Sequence, residues 1–225
     1  NAQATRLVFE TQGDGSRRCT GVQVWTGHEM VTAHAQCEVI LSAGSINSPQ
    51  LLQLSGIGPA ALLRQHGIAV LQDTPGVGAN LQDHLQIRAV FKVQGVPTLN
   101  TMAHSLLGKA RIGLEYALKR TGPMSMAPSQ LGAFTRSSPE QAHANLEYHV
   151  QPLSLDAFGE PLHRFAAFTA SVCNLNPTSR GTVQIKSGRF EDAPAIAPNY
   201  LSTPEDRQVA AESLRVTRRI VAQPA

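Results

Sequence analysis

The sequence predicts an α+β protein in which a short α/β segment precedes a larger region built on an antiparallel sheet. Three observations predict it. Glu38 to Gly58, EVILSAGSINSPQLLQLSGIG, joins a short apolar run to an apolar-faced helix through Ala43-Gly44. Leu146 to Val150, Phe165 to Cys173 and Thr182 to Lys186 are strand candidates with no helix between them long enough for a parallel crossover, so antiparallel pairing follows. His104 to Arg120 and the segment from Thr203 onward repeat apolar residues at helical spacing, which supplies helices to flank that sheet.

In chain order, Thr5 to Glu10 is a strand candidate, Gly13-Asp14-Gly15-Ser16 a turn and Thr20 to Trp25 a second strand. Val39, Ile40 and Leu41 form the run expected of a strand covered on both faces, and Ala43-Gly44 removes side-chain bulk where it ends, so that a ligand can approach the backbone. Ser48 is placed to cap a helix with Pro49 in its first turn, Leu51, Leu52 and Leu54 form its face, and Ser55-Gly56 closes it. A strand feeding a helix at the carboxyl edge of a sheet is where ligands of open α/β folds sit. A short helix is expected from Ala60 to Gln65, ended by Gly67, and Asp73 to Asp83 reads as a loop. Ile87 to Val93 alternates as a strand. The 104–120 helix sets Leu106, Leu107, Ala110, Leu114, Ala117 and Leu118 at helical spacing before Thr121-Gly122-Pro123 stops it. The last helix opens at Thr203-Pro204-Glu205 and places Val209, Leu214 and Ile220 on one face. Two domains are expected, residues 3–86 and 87–225.

At 225 residues, 42% hydrophobic and 16% charged, the chain can bury a core of ordinary size. A formal net charge of +3 spread over scattered Arg and Lys argues against a nucleic-acid interface, and Arg17-Arg18 and Arg218-Arg219 read as solvated surface. Cys19, Cys37 and Cys173 have no CxxC spacing, which fits free thiols in a reducing compartment such as the cytoplasm. Eight histidines without HExxH or a paired CxxC lead to the expectation of no metal, and the lack of GxSxG or SxxK leaves nucleophilic hydrolysis without a serine. No signal peptide or membrane span is visible in the 225 residues, and membrane association is left open.

Four blocks carry a resemblance. They are Ala43 to Gly58, then Pro75-Gly76-Val77-Gly78-Ala79-Asn80-Leu81-Gln82-Asp83-His84, then Asn176-Pro177-Thr178-Ser179-Arg180-Gly181, and Pro198-Asn199-Tyr200-Leu201. In sequence and order they resemble the glucose-methanol-choline (GMC) oxidoreductases, flavoenzymes that oxidise alcohols with FAD. The resemblance implies that residues 3–86 are the last part of an FAD-binding domain and residues 87–225 most of a substrate domain. Members of the family are more than twice this length, open with a Gly-rich dinucleotide-binding motif and close with a His-His or His-Asn pair. The chain is therefore expected to be a central piece of such an enzyme, with Asn1-Ala2 a remnant of a removed tag.

The same resemblance implies an enzyme that oxidises a primary alcohol to an aldehyde by hydride transfer to flavin, with its catalytic histidine outside this chain. Ala43 and Gly44 are implied to lie beside the FAD, although close helix packing alone also explains the pair. Gly56-Ile57-Gly58 and Gly76-Val77-Gly78 read as packing turns, since neither has the strand-turn-helix context of a phosphate cradle. Asp83 and His84 are expected to shape their loop by local hydrogen bonds. Choline-oxidising relatives carry glutamate where Gln130 stands, and an amide dipole holds a quaternary ammonium far more weakly than a carboxylate does, so Gln130 speaks against choline. Asn176, where some relatives carry histidine, is a second pocket candidate. FAD is expected in the intact enzyme and not on this chain alone. The alternative is a non-catalytic α+β binding module, disfavoured because the four blocks would have no other reason to occur together.

Overall fold

Residues 2–157 and 159–224 are described by a computed structural model. The elements run β1 (Gln3–Thr11), β2 (Arg17–Trp25), β3 (Met30–His34), α1 (Gly44–Leu54), β4 (Ile57–Gly58), α2 (Ala60–Gln65), β5 (Gln72–Asp73), β6 (Gln86–Lys92), α3 (Leu99–Met102), α4 (Leu106–Lys119), β7 (Leu131–Thr135), β8 (Leu146–Gln151), β9 (Ala167–Asn174), β10 (Thr182–Gln184), β11 (Ala195–Ala197) and α5 (Pro204–Val221). Contacts gather them into two units, one of Asn1–Asp83 with Ser179–Tyr200 and the other of His84–Thr178 with Leu201–Ala225. They do not divide the chain at a single point near residue 86. The chain passes between units at residues 83/84, 178/179 and 200/201, and each passage falls inside one of the motif blocks.

In the first unit β1, β2 and β3 form an antiparallel sheet, with the first turn closed by the Gln12 amide donating to the Ser16 carbonyl at 2.7 Å. The apolar run expected as a buried strand is not one. Val39 to Leu41 is unpaired, and Ile40 is 78% exposed. A buried strand needs neighbours to take its amides and carbonyls, and three apolar residues define no period of their own. α1 starts at Gly44, four residues before the expected Ser48 cap. The Ser48 hydroxyl instead accepts from the Ala43 amide at 3.0 Å, and Pro49 stands inside the helix, where it cannot donate to the Ser45 carbonyl. At the other end Ser55 and Gly56 close α1 as expected. Ser55 Oγ accepts from the Leu7 amide at 2.8 Å, and a Cβ on Gly56 would come within 2.5 Å of the Ala69 carbonyl oxygen.

The second unit is built on a four-stranded sheet in the order β6-β9-β8-β7, antiparallel throughout, with no helix among the described residues between β7, β8 and β9 to carry a parallel crossover. Thr182 to Lys186, expected beside these strands, is not among them: β10 pairs with β11 inside the first unit, because strand-forming pattern does not say which sheet a strand joins. Alternation gives it two faces. Leu146, Tyr148 and Val172, with Ile87, pack against Val209 and Val216 of α5. The buried side of α5 is Val209, Ser213, Val216 and Thr217 rather than the expected Val209, Leu214 and Ile220, and Ile220 is 50% exposed. Polar partners choose that face: the Tyr148 hydroxyl lies 2.9 Å from Thr217 Oγ1, which itself donates to the Ser213 carbonyl.

Thr203 caps α5 by accepting from the Asp206 amide at 3.3 Å, and the buried Asp206 carboxylate accepts from the Thr178 amide at 2.9 Å and from Asn174 Nδ2 at 3.3 Å. Asp206→Ala is expected to lower stability by about 3 kcal/mol, because it strips a charged acceptor from buried donors at a helix N-terminus. Urea unfolding measures it. An unchanged midpoint would show that water replaces the carboxylate.

α4 matches its expected span, with Ser105 Oγ accepting from the Gly108 amide and Arg120 closing it at φ 55°. Among the described residues nothing covers its apolar side. Ile112 is the one residue of the helix that is buried.

Candidate functional site

The last three motif blocks meet through hydrogen bonds. The Leu81 and Gly181 backbones exchange bonds of 3.0 and 2.8 Å, Asn199 Nδ2 donates to the Arg180 carbonyl at 3.1 Å, and the Tyr200 hydroxyl donates to the Asp83 carboxylate. Asn80 and Asn199 take φ of 58° and 56°, a left-handed conformation that asparagine tolerates better than other side chains. Within the second unit His84 Nε2 lies 3.1 Å from the Leu175 carbonyl oxygen. The shaping expected of Asp83 and His84 thus reaches residues distant in sequence, each within its own unit.

The glycine strings are packing turns around Gln53. This side chain is fully buried, its amide donates to the Val77 and Val183 carbonyls at 3.2 and 3.0 Å, and its oxygen accepts from the Ile185 amide at 2.9 Å. A Cβ on Gly78 would stand 2.1 Å from the Val183 carbonyl oxygen and 2.4 Å from Gln53 Nε2, and one on Gly58 would stand 3.0 Å from Gln53 Cγ. No space remains there for a phosphate. Sequence reasoning passed over Gln53, whose only signal was a polar residue on the apolar side of α1.

Ala43 and Gly44 lie at the start of α1, where no side chain caps the helix. Gly44 has φ of 80°, and a Cβ there would meet no atom within 4 Å, so its backbone borders open space. Ala43 lines a cleft of about 260 Å³ with Asn47, Gln50 and Leu51.

Gln130 precedes β7, its amide bonded to the Val150 carbonyl at 3.0 Å and its side chain 3.3 Å from Met126 Sδ. It lines a cavity of about 470 Å³ with Leu99, Met102, Met126, Pro128 and Leu153, and Glu115 stands at the same cavity. Asn176 is not there. It is exposed in a turn beyond β9, its amide bonded to Asn174 Oδ1, and Asn174 pairs with Leu146 at the opposite end of β8 from Val150. The length of β8 puts the two candidates on the order of 15 Å apart.

Among the described residues, His84, Glu147 and Cys173 bring an imidazole nitrogen, a carboxylate oxygen and a thiol within 4.8 Å of one another. Glu147 and Cys173 are direct partners across β8 and β9, and His149 Nε2 is 3.3 Å from Glu147 Oε1. These are donor types that transition metals accept, drawn from three segments, so His spacing gave no sign of them. Burial, and behind it the Glu147 carboxylate, pushes the Cys173 thiol from 9.0 up to about 11. The folded state holds that proton more tightly than the unfolded chain. Its contribution to stability is therefore full below about pH 9 and is lost as pH rises toward about 11. Urea unfolding across that window should show a shallower decline for Cys173→Ala than for the parent, and parallel declines would remove Cys173 as the cause.

Models of one family match both ends of the chain, described as GMC oxidoreductase over residues 1–86 and again over residues 177–225. The chain is 38% identical to an alcohol dehydrogenase (acceptor) of Pseudomonas putida over 99% of its own length and 40% of that protein. It is 40% identical to an oxygen-dependent choline dehydrogenase of Photobacterium profundum over 93% of its length and 37% of the relative. Among solved structures it superposes on formate oxidase with a TM-score of 0.83 at 23% identity, covering 96% of this chain and 42% of that one. Pyridoxine 4-oxidase from Mesorbium loti gives 0.77 at 23% identity, over 99% and 38%. The fold is one shared with solved oxidases. The chain belongs to the GMC oxidoreductases, and it spans about 40% of the length of the curated relatives it matches.

Proposed function

We propose that this chain is the substrate-facing part of an FAD-dependent oxidoreductase that takes a neutral primary alcohol to its aldehyde. The observation that carries the reading is Gln130, an uncharged amide on an otherwise largely apolar cavity of about 470 Å³, in a chain of the GMC family. The Gln130 amide would hydrogen-bond the alcohol oxygen and fix the carbon's orientation, while the surrounding Met, Leu and Pro side chains exclude water. Gln130 and not Asn176 belongs to this pocket, because Asn176 lies at the other end of the sheet. The proton acceptor is proposed to be a histidine outside these 225 residues.

Ala43 and Gly44 fit the edge of a flavin: a positive-φ glycine without a Cβ borders open space at an uncapped helix start. FAD, when bound, supplies the acceptor for the substrate hydride. A reducing compartment is part of the proposal, supported by Cys19, Cys37 and Cys173, all unbridged.

Dye-linked oxidation of short neutral alcohols by the whole protein tests the activity, with Gln130→Ala expected to raise KM. A whole protein without flavin absorbance would sink the reading. The 225 residues expressed alone are expected to be colourless after desalting, because Gly58 and Gly78 are closed by Gln53 and Val183 and leave no seat for a pyrophosphate. Stoichiometric flavin on them would overturn this.

A further inference from the structure

The exposed leucines of α4 share one side of the helix. At about 100° per residue, Leu106, Ala110, Ala117, Leu114, Leu107 and Leu118 fill an arc of about 120°, with Ile112 on the far side. Leu106 is 87% exposed, Leu107 82%, Leu114 60% and Leu118 74%, whereas Ile112 is buried. Lys109 stands at one margin of the arc and Arg111 at the other. The sole acid of the helix, Glu115, lies beyond Arg111, where its carboxylate accepts from Thr121 Oγ1 at 3.2 Å. Val96 and Met124, on the segments before and after α4, are exposed as well.

We propose that α4 docks this protein on an anionic phospholipid bilayer, lying in the interface with its leucine arc toward the acyl chains. Two features of the helix point to that occupant. An apolar arc edged by basic residues matches a surface that is apolar below and negative at the headgroups, with the Lys and Arg stems lying along the boundary and their charges reaching phosphate. A second copy meeting the same face about a two-fold axis would instead bring Lys109 and Arg111 against their own kind. The helix rests on the membrane and does not cross it, since no helix among the described residues is long and apolar enough to span one.

Co-sedimentation of the whole protein with phosphatidylcholine vesicles, with and without phosphatidylglycerol, tests this without reference to alcohol oxidation. Binding is expected to the phosphatidylglycerol vesicles, weakened by salt. Leu107→Ser with Leu118→Ser should cut the partition coefficient about tenfold or more, and Lys109→Gln with Arg111→Gln about tenfold on anionic vesicles only. Both variants should keep the parent's melting temperature, because these side chains are exposed. Failure of the parent to bind anionic vesicles, or equal binding by the leucine variant, overturns the proposal. So does a leucine variant that melts lower with vesicle binding intact, which would mean that another part of the protein covers the arc. A dimer lost in sedimentation velocity with vesicle binding intact would assign the face to a second copy and likewise overturn it.

Discussion

Replacing Gln53 by alanine should lower the stability of the first unit by about 3–5 kcal/mol, enough to unfold a marginal domain. The side chain is fully buried and satisfies three backbone groups from two distant segments, the Val77 and Val183 carbonyls and the Ile185 amide. Truncation to alanine deletes the partner of each while leaving each in place, so every group bears its own desolvation cost, and it opens a void between α1 and β10. Gln53→Glu separates the two contributions. It keeps the volume and the acceptor for Ile185 but sets a carboxylate against two carbonyl oxygens, and it should be as damaging as alanine. Urea unfolding of both variants is the measurement. A loss under about 1 kcal/mol for alanine would mean that water enters and bonds the stranded groups.

Gln130→Glu in the whole enzyme is expected to raise turnover of choline relative to a neutral alcohol by about tenfold or more, the scale of one partly buried ion contact. Without a carboxylate at this position the wild type has little to offset the desolvation of a trimethylammonium group. Aromatic faces are scarce at 5% of residues, and Met126, Leu99 and Leu153 line the cavity instead. Glu115 is the one carboxylate at the same cavity, and it is already engaged by the Thr121 hydroxyl. Parallel kinetics on Gln130→Glu and Glu115→Gln therefore identify which group holds a cation. Efficient choline oxidation by the wild type, lost in Glu115→Gln and unchanged in Gln130→Glu, would transfer the role to Glu115.

Much of this architecture was legible as local pattern. The strand from Leu146 to Val150, the span and cap of α4, and the Thr203-Pro204 start of α5 depend on neighbours within a few residues, and each formed close to where its pattern placed it. The family could be read because its blocks keep their order. What the blocks do could not be read from them: three are tied together by hydrogen bonds within the first unit, and the fourth contributes Gln53 as a knot inside that same unit.

Sequence by itself determined the antiparallel pairing of β8 with its neighbours, because no helix among the described residues lies between β7, β8 and β9 to carry a crossover, and it determined the helices whose caps and periods are local; that Thr182 to Gln184 joins β11 instead of this sheet it did not determine. Tertiary structure alone decided the rest. Whether Val39 to Leu41 pairs as a strand depends on neighbours from elsewhere in the chain, and no strand among the described residues takes its amides and carbonyls. Which side of α5 is buried was settled by Tyr148 bonding Thr217, and which pocket candidate lines the cavity by the register of β8. The leucines of α4 carry the same period whether covered or bare. Period records a helix's apolar side, and only long-range packing decides what, if anything, meets it.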